Sequence, residues 1–284
     1  MTATVATASF TVDSPTGRHP VSVTYQRSGS GEPLLLLHGI GHHRQAWDPV
    51  FRILAAERDV IAVDLPGFGE SPALPDGVPH DLTTVVPALG ALCGELDIDR
   101  PHVAGNSLGG LLALDMGREK LVRSVTALSP AGFWTETERR YAFGVLRGMR
   151  AGARLLPDPV VEQLSRSAVG RAALVSTIYA RPGRRSPQAA VAETRAMRNA
   201  TGFHSTLAAG RDVLFTGDVP DVPVTIAWGT RDRLLVRRQG VRAKYAIPGA
   251  RLVRLPGCGH VPMSDDPALV ARVILDGSRP ATAG

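Results

Sequence analysis

Cysteine and lysine are nearly absent from this chain. The only cysteines, Cys93 and Cys258, lie far apart at neither disulfide nor metal-ligand spacing, which argues against a disulfide-stapled module and a cysteine zinc site. Both are read as reduced, buried thiols. Cys258 stands two residues before His260 but is expected to be a small core side chain, not a nucleophile. Lysine occurs only at positions 120 and 244, so nearly all of the 32 basic residues are arginine. They are spread along a chain with only 5% aromatic residues, in no pattern that reads nucleic acid, so no nucleic-acid partner is expected despite a net charge of +6. Hydrophobic runs are short. None approaches membrane-spanning length, and "MTATVATASF" lacks the basic start and apolar centre of a signal peptide. The expectation is a cytoplasmic protein without stable membrane insertion. No fixed-period repeat, G-x-G-x-x-G fingerprint or P-loop occurs, and "GIGHH" has no carboxylate or cysteine partner at ligand spacing. No cofactor and no metal are expected.

What is present is enough apolar sequence for a large core: 284 residues, 44% hydrophobic. "SFTVDSPTGRHPVSVTYQRSG" reads as two alternating strands around a Ser-Pro-Thr-Gly turn, an antiparallel hairpin. Next, "PLLLLHG", "DVIAVDLPG", "PHVAGNS", "SVTALSP", "PVTIAWGT" and "ARLVRLPG" are short runs apolar at successive positions, as strands buried on both faces of a parallel sheet require. Helical patterns such as "AWDPVFRILAAE", "LTTVVPALGALCGEL" and "SLGGLLALDMGREKLV" separate them. Alternating strand and helix define an α/β class with a mostly parallel, doubly wound sheet.

The alternation fails once. Between residues 133 and 215 three helix-like stretches follow one another with no strand, so the chain divides into a core segment (1–132), an all-helical cap insertion (133–215) and a second core segment (216–284). The insertion holds 13 arginines, no lysine and six acidic residues, a net of +7 against −1 for the remainder. Such a charge suits steering of an anionic or polar-headed substrate, or contact with anionic lipid, and equally suits solvated helix faces.

"GNSLGG" satisfies G-x-S-x-G, with a strand-like run before it and a helical pattern after it. A serine in such a turn is expected to adopt strained backbone and to project its oxygen above the sheet. Gly105 and Gly109 then lack side chains so that helix and strand approach closely. Helix N–H groups near Ser107 favour a developing anion.

Four motifs occur in one order: "HGIG", "DLPGFGES", "GNSLGG", and the pair "GTRD" and "GCGH", each after a strand-like run. Together they resemble the α/β-hydrolase superfamily over nearly the whole length, with the helical insertion as its cap. The resemblance implies the chain order serine, acid, histidine: Ser107 as nucleophile, His260 as its base and Asp232 as the acid that orients the imidazole. Imidazole suits a base because its unperturbed pKa, about 6.5, lies near working pH. Some relatives carry the acid after the sixth strand, but there this chain reads "LSPAGF". Asp218, Asp221, Asp265 and Asp266 are expected to be turn or helix-start residues. The implied oxyanion donors are the backbone N–H groups of Ile40 and Leu108. His38 is expected to shape that loop by hydrogen bonding, and Asp64 to organise the "DLPGFG" turn.

His42, Trp134 and His204 are candidates for the substrate pocket; His43 and Trp47 are weighed beside them, with core packing the safer reading for the tryptophans. The leading functional expectation is hydrolysis of a small or medium, largely apolar acyl ester by a cofactor-free serine hydrolase. The alternatives on this scaffold are a carbon-carbon bond hydrolase, which "GNSLGG" resembles, a lactonase, a non-hydrolytic ligand receptor and a biosynthetic cyclase. "VPM" after His260 replaces the aromatic often found in the carbon-carbon hydrolases. Composition and motifs leave monomer and dimer equally open.

Overall fold

The computed structural model describes residues 3–14 and 16–279. Eight strands form one sheet: β1 (Thr4–Ser14), β2 (Gly17–Ser28), β3 (Pro33–Leu37), β4 (Asp59–Val63), β5 (His102–Asn106), β6 (Ser124–Leu128), β7 (Val224–Gly229) and β8 (Arg251–Leu255). Their spatial order is β1-β2-β4-β3-β5-β6-β7-β8. β1 and β2 pair antiparallel from Thr4↔Arg27 to Ser14↔Gly17, which is the expected hairpin, although Pro15 of its turn lies outside the described residues. β2 joins β4 antiparallel; every pairing from β4 to β8 is parallel. This is the α/β-hydrolase fold.

The central strands are buried along their whole length, which explains why "LLLL", "HVAGN" and "SVTAL" show no polar alternation. β8 departs from the expectation. Its sequence reads like the buried runs, yet it is the sheet edge, with Arg251 and Leu252 exposed and only Leu255 buried. Charged residues on an edge strand discourage pairing with another chain.

Five helices flank the sheet: α1 (Asp48–Ala55), α2 (Leu82–Glu95), α3 (Leu108–Arg118), α9 (Arg238–Ala246) and α10 (Pro267–Gly277). α1 packs on α10 and α2 on α3. The crossover from β3 to β4 runs one way along the sheet and those from β4 to β5 and β5 to β6 run the other, so right-handed connections send α1 and α3 to opposite faces. A crevice therefore opens beyond the carboxyl ends of β3 and β5, where such sheets bind ligands.

Between β6 and β7 the chain forms α4 (Glu136–Leu155), α5 (Asp158–Ser165), α6 (Ala168–Val175), α7 (Pro187–Asn199) and α8 (Phe203–Ala209). Caps account for these boundaries. Thr135 and Glu138 form a reciprocal capping box on α4; Ser167 accepts from the Gly170 N–H and Ser186 from the Ala189 N–H. Two of the three helix-like stretches are split in two, one at the Ser167 cap and the other between Ala200 and Gly202, where no side chain caps α8.

The tightest packing joins α3 to the sheet. A Cβ built on Gly105 would sit 2.0 Å from the Gly109 carbonyl oxygen, and one on Gly109 would sit 2.1 Å from the Leu37 carbonyl oxygen. These are backbone obstacles that no rotamer change relieves. Gly105→Ala or Gly109→Ala is expected to cost on the order of 3 kcal/mol or more, read as a lowered chemical-denaturation midpoint, whereas Gly94→Ala, which meets nothing within 4 Å, should leave the midpoint unchanged or raise it.

Candidate active site

Ser107 stands between β5 and α3 with φ 57° and ψ −114°, a left-handed conformation that costs a non-glycine residue on the order of 1–3 kcal/mol. Surrounding hydrogen bonds enforce it. The Ser107 N–H donates to the Leu128 carbonyl at 3.0 Å, while its own carbonyl accepts from Leu111 and Ala131 at 3.0 and 3.1 Å. The serine therefore sits at the start of α3, on the crevice side of the sheet.

Asp232 and His260 come from the loops after β7 and β8. The His260 Nδ1 and Asp232 Oδ2 are 2.9 Å apart, with both side chains buried. The other carboxylate oxygen accepts from the Leu234 and Leu235 N–H groups at 2.9 and 2.8 Å. An anion held by three donors in this way orients the imidazole, so that Nδ1 carries the proton and Nε2 keeps its lone pair. Asn106, which the motif reading passed over, donates from Nδ2 to the His260 carbonyl at 2.8 Å and to the Leu128 carbonyl at 3.1 Å. The residue before the serine thus ties the histidine loop to the elbow.

The competing acids have other partners. Asp265 accepts from the N–H groups of Gly259, Ala180 and Arg181 at 2.7, 3.0 and 2.8 Å, joining the histidine loop to the segment after α6. Asp266 caps α10, Asp218 accepts from the Val219 N–H, and Asp221 pairs with Lys120 at the surface.

On the other side of the crevice, His38 is fully buried. Its Nε2 accepts from the Leu65 N–H at 3.0 Å, so Nδ1 carries the proton and donates to the Gly39 carbonyl at 2.7 Å. The His42 N–H donates to that same carbonyl at 3.2 Å. Because a trans peptide is planar, fixing the Gly39 carbonyl also fixes the Ile40 N–H, which points the opposite way. Among the described residues neither the Ile40 nor the Leu108 N–H meets a protein acceptor. Asp64, fully buried, accepts from the Arg44 and Glu70 N–H groups at 2.6 and 2.9 Å and from the Arg44 guanidinium, which closes the "DLPGFG" turn.

Ser107 and His260 line one cavity of about 380 Å³, together with Ile40, His42 and residues of α4, α6 and α7. A narrower apolar cleft of about 50 Å³ also touches Ser107; Trp134 lines it and donates from Nε1 to the Val213 carbonyl at 3.2 Å. A third void, about 540 Å³, shares Glu193 with the first and contains none of Ser107, Asp232 and His260. His204 is misplaced by the pocket expectation. It is exposed, lies edge-on against Phe203 and lines none of the described cavities, because α8 turns its 204 position to solvent. Trp47 is core, and His43 stacks on His42. Both thiols are buried and pushed up to about 12 by desolvation.

A doubly wound sheet carrying a strained serine elbow, with a carboxylate-oriented histidine opening on the same cavity, defines a hydrolase of the α/β type. Residues 34–273 match the alpha/beta hydrolase family, and the chain belongs to that family. It is 29% identical to an uncharacterized protein of Mycobacterium tuberculosis across 93% of this chain and 81% of that one. It is also 29% identical to the pimeloyl-[acyl-carrier protein] methyl ester esterase of Aeromonas hydrophila, across 89% and 98%. Among solved structures, the 2-hydroxy-6-oxo-6-phenylhexa-2,4-dienoate hydrolase of Rhodococcus sp. strain RHA1 superposes with a TM-score of 0.74 at 20% identity, covering 98% of this chain and 100% of that one. Among the described residues no helix is long and apolar enough to cross a membrane.

Burial holds His38 neutral, its pKa lowered to about 4, and lowers those of His42 and His43 as well. The unfolded chain takes up these protons near pH 6.5 and the folded chain only at lower pH, so acid favours unfolding. Stability is expected to be full above about pH 6.5 and to fall as pH drops towards 4. Calorimetric melting midpoints across that range check this, and His38→Asn should flatten the slope.

Proposed function

We propose that this protein is a serine hydrolase that cleaves small or medium acyl esters through an acyl-enzyme intermediate. The observation that supports the reading is the Asp232–His260 contact at 2.9 Å, with His260 and Ser107 lining the same cavity. In this reading His260 Nε2 takes the Ser107 proton as Oγ attacks the ester carbonyl, and Asp232 stabilises the imidazolium that forms. Negative charge on the former carbonyl oxygen is met by the Ile40 and Leu108 N–H groups, the first aimed by the His38–Gly39 hydrogen bond. Collapse of the tetrahedral intermediate expels the alcohol, which receives the proton from His260. Water then attacks the acyl-serine with His260 again as base, and the acid leaves.

The helices between β6 and β7, acting as a cap, roof the cavity and select the substrate. A 2-hydroxy-6-oxo-6-phenylhexa-2,4-dienoate hydrolase shares the fold, which supports carbon-carbon bond hydrolysis as the second reading.

Ser107→Ala is expected to abolish labelling by a fluorophosphonate probe and to lower turnover of p-nitrophenyl esters by at least about 10³-fold, and Asp232→Asn should lower it by about 10⁴-fold. Labelling retained by Ser107→Ala sinks the assignment, as does turnover of a ring-cleavage dienoate in the absence of any ester turnover.

A further inference from the structure

The Ser107 cavity opens to solvent between α4 and α6, where Gly148 and Ala173 line it and are both exposed. Arg233 bridges one end of this gap. Its carbonyl accepts from the Tyr141 hydroxyl on α4 at 3.0 Å, and its guanidinium donates to the Ser176 carbonyl, just past α6, at 3.4 Å. The start of α4 and the end of α6 meet there, so the end of α4 and the start of α6 lie towards the other side.

Large apolar side chains stand in the open on that side. Leu155 continues the face of α4 that carries Gly148 and Gly152, and it is 80% exposed. Val169, one turn before Ala173 on α6, is 82% exposed. Pro157, Pro159 and Val160, also exposed, extend the apolar surface from Leu155 into α5. Single exposed leucines and valines are ordinary on a protein surface. These stand beside the opening of the cavity that holds Ser107.

The free charge around them is of one sign. Each of the six acidic residues between 133 and 215 has an arginine partner. Among the described residues Arg147, Arg154 and Arg166, all exposed, pair with no carboxylate. Arg147 precedes Gly148, Arg154 precedes Leu155, and Arg166 lies just before α6. Exposed apolar side chains ringed by free guanidinium groups, with a half-exposed tyrosine at the far end, match the interface of an anionic bilayer. A second copy of the chain fits worse, because a two-fold contact through this face brings the same arginines towards one another.

We propose that this face docks on an anionic lipid surface. Leu155 and Val169 enter the headgroup region, and Arg147, Arg154 and Arg166 meet lipid phosphates. Docking is peripheral and turns the cavity opening towards the lipid, so that an acyl ester enters from the membrane. That entry rests on the ester-hydrolase reading above, whereas docking does not.

The test is co-sedimentation with vesicles of phosphatidylcholine alone and of phosphatidylcholine and phosphatidylglycerol in equal parts. Binding to the mixed vesicles is expected to be at least about tenfold tighter and to be largely lost in about 1 M salt. Arg154→Gln and Arg166→Gln should each weaken it about fivefold, and Leu155→Ser with Val169→Ser by about tenfold or more. Arg251→Gln, on the β8 edge, should leave it unchanged. The comparison of the two vesicles needs no variant, so poor folding of any one leaves the idea open to refutation. Equal binding to both vesicles, or to neither, overturns the proposal. A loss from Arg251→Gln as large as that from Arg154→Gln overturns it too, because net charge alone then attracts the lipid. So does a dimer in light scattering that Leu155→Ser and Val169→Ser convert to monomer.

Mixed vesicles should also raise turnover of p-nitrophenyl decanoate, which dissolves in them, about fivefold in wild type and not in the Leu155→Ser, Val169→Ser variant. Turnover of p-nitrophenyl acetate should be the same in both proteins. Docking that leaves decanoate turnover unchanged overturns entry from the membrane. Docking without turnover of either ester overturns the ester reading and spares the docking surface, and ester turnover without docking does the reverse.

Discussion

The close approach of the α3 backbone to β3 and β5 governs the site. It is possible only because residues 105 and 109 lack side chains, and it forces Ser107 into a left-handed conformation that no helix or strand residue would adopt alone. The strain is held by hydrogen bonds from both sides, from Leu128 on one strand and Leu111 and Ala131 beyond. Everything else in the crevice is arranged relative to that fixed point. Asn106 ties the His260 loop to it, and Gly39 passes so close that its Cβ position is 3.2 Å from that of Ser107.

Around this point the protein buries a set of polar side chains, each of which makes at least one hydrogen bond. His38, His42, Asp64, Arg44, Tyr179 and Glu193 are all buried, and they are linked in short chains of hydrogen bonds. Low dielectric makes such chains costly when broken and rigid when complete. Such rigidity suits the proposed chemistry, in which donors aimed at a developing anion contribute most when they need no reorganisation. The loop bearing His260 is also joined to the segment after α6 by Asp265 and by the Val261 N–H, which donates to the Ile178 carbonyl at 3.0 Å. These contacts tie the histidine loop to residues 178–181 in the segment between β6 and β7.

Most of the architecture was legible in the chain. The apolar runs at "LLLL", "HVAGN" and "SVTAL" are readable because a strand covered on both faces has no room for polar alternation, and the hairpin because its residues alternate. The edge position of β8 is not legible in the sequence, because a run such as "ARLVRL" carries no mark of whether a neighbour covers it. The split at Ser167 depends on a side-chain cap, whose signal is weak beside a continuous helical pattern, while the break near Gly202 carries no side-chain cap at all. His204 was drawn into the pocket by residue type alone; the rotation of a short helix is set by what it packs on, here Phe203 against the core. Asn106 stood in plain view within "GNSLGG", and its role follows only from the distance to a carbonyl 154 residues away.

By itself the sequence determined the class of fold, the order of its elements and the place of the glycine-flanked serine turn, because strand burial, helix periodicity and such a turn are local properties. The tertiary structure decided which acid meets the histidine and which wall residues face the cavity. Those outcomes depend on contacts between loops far apart in the chain, where spacing along the backbone carries no information about distance in space.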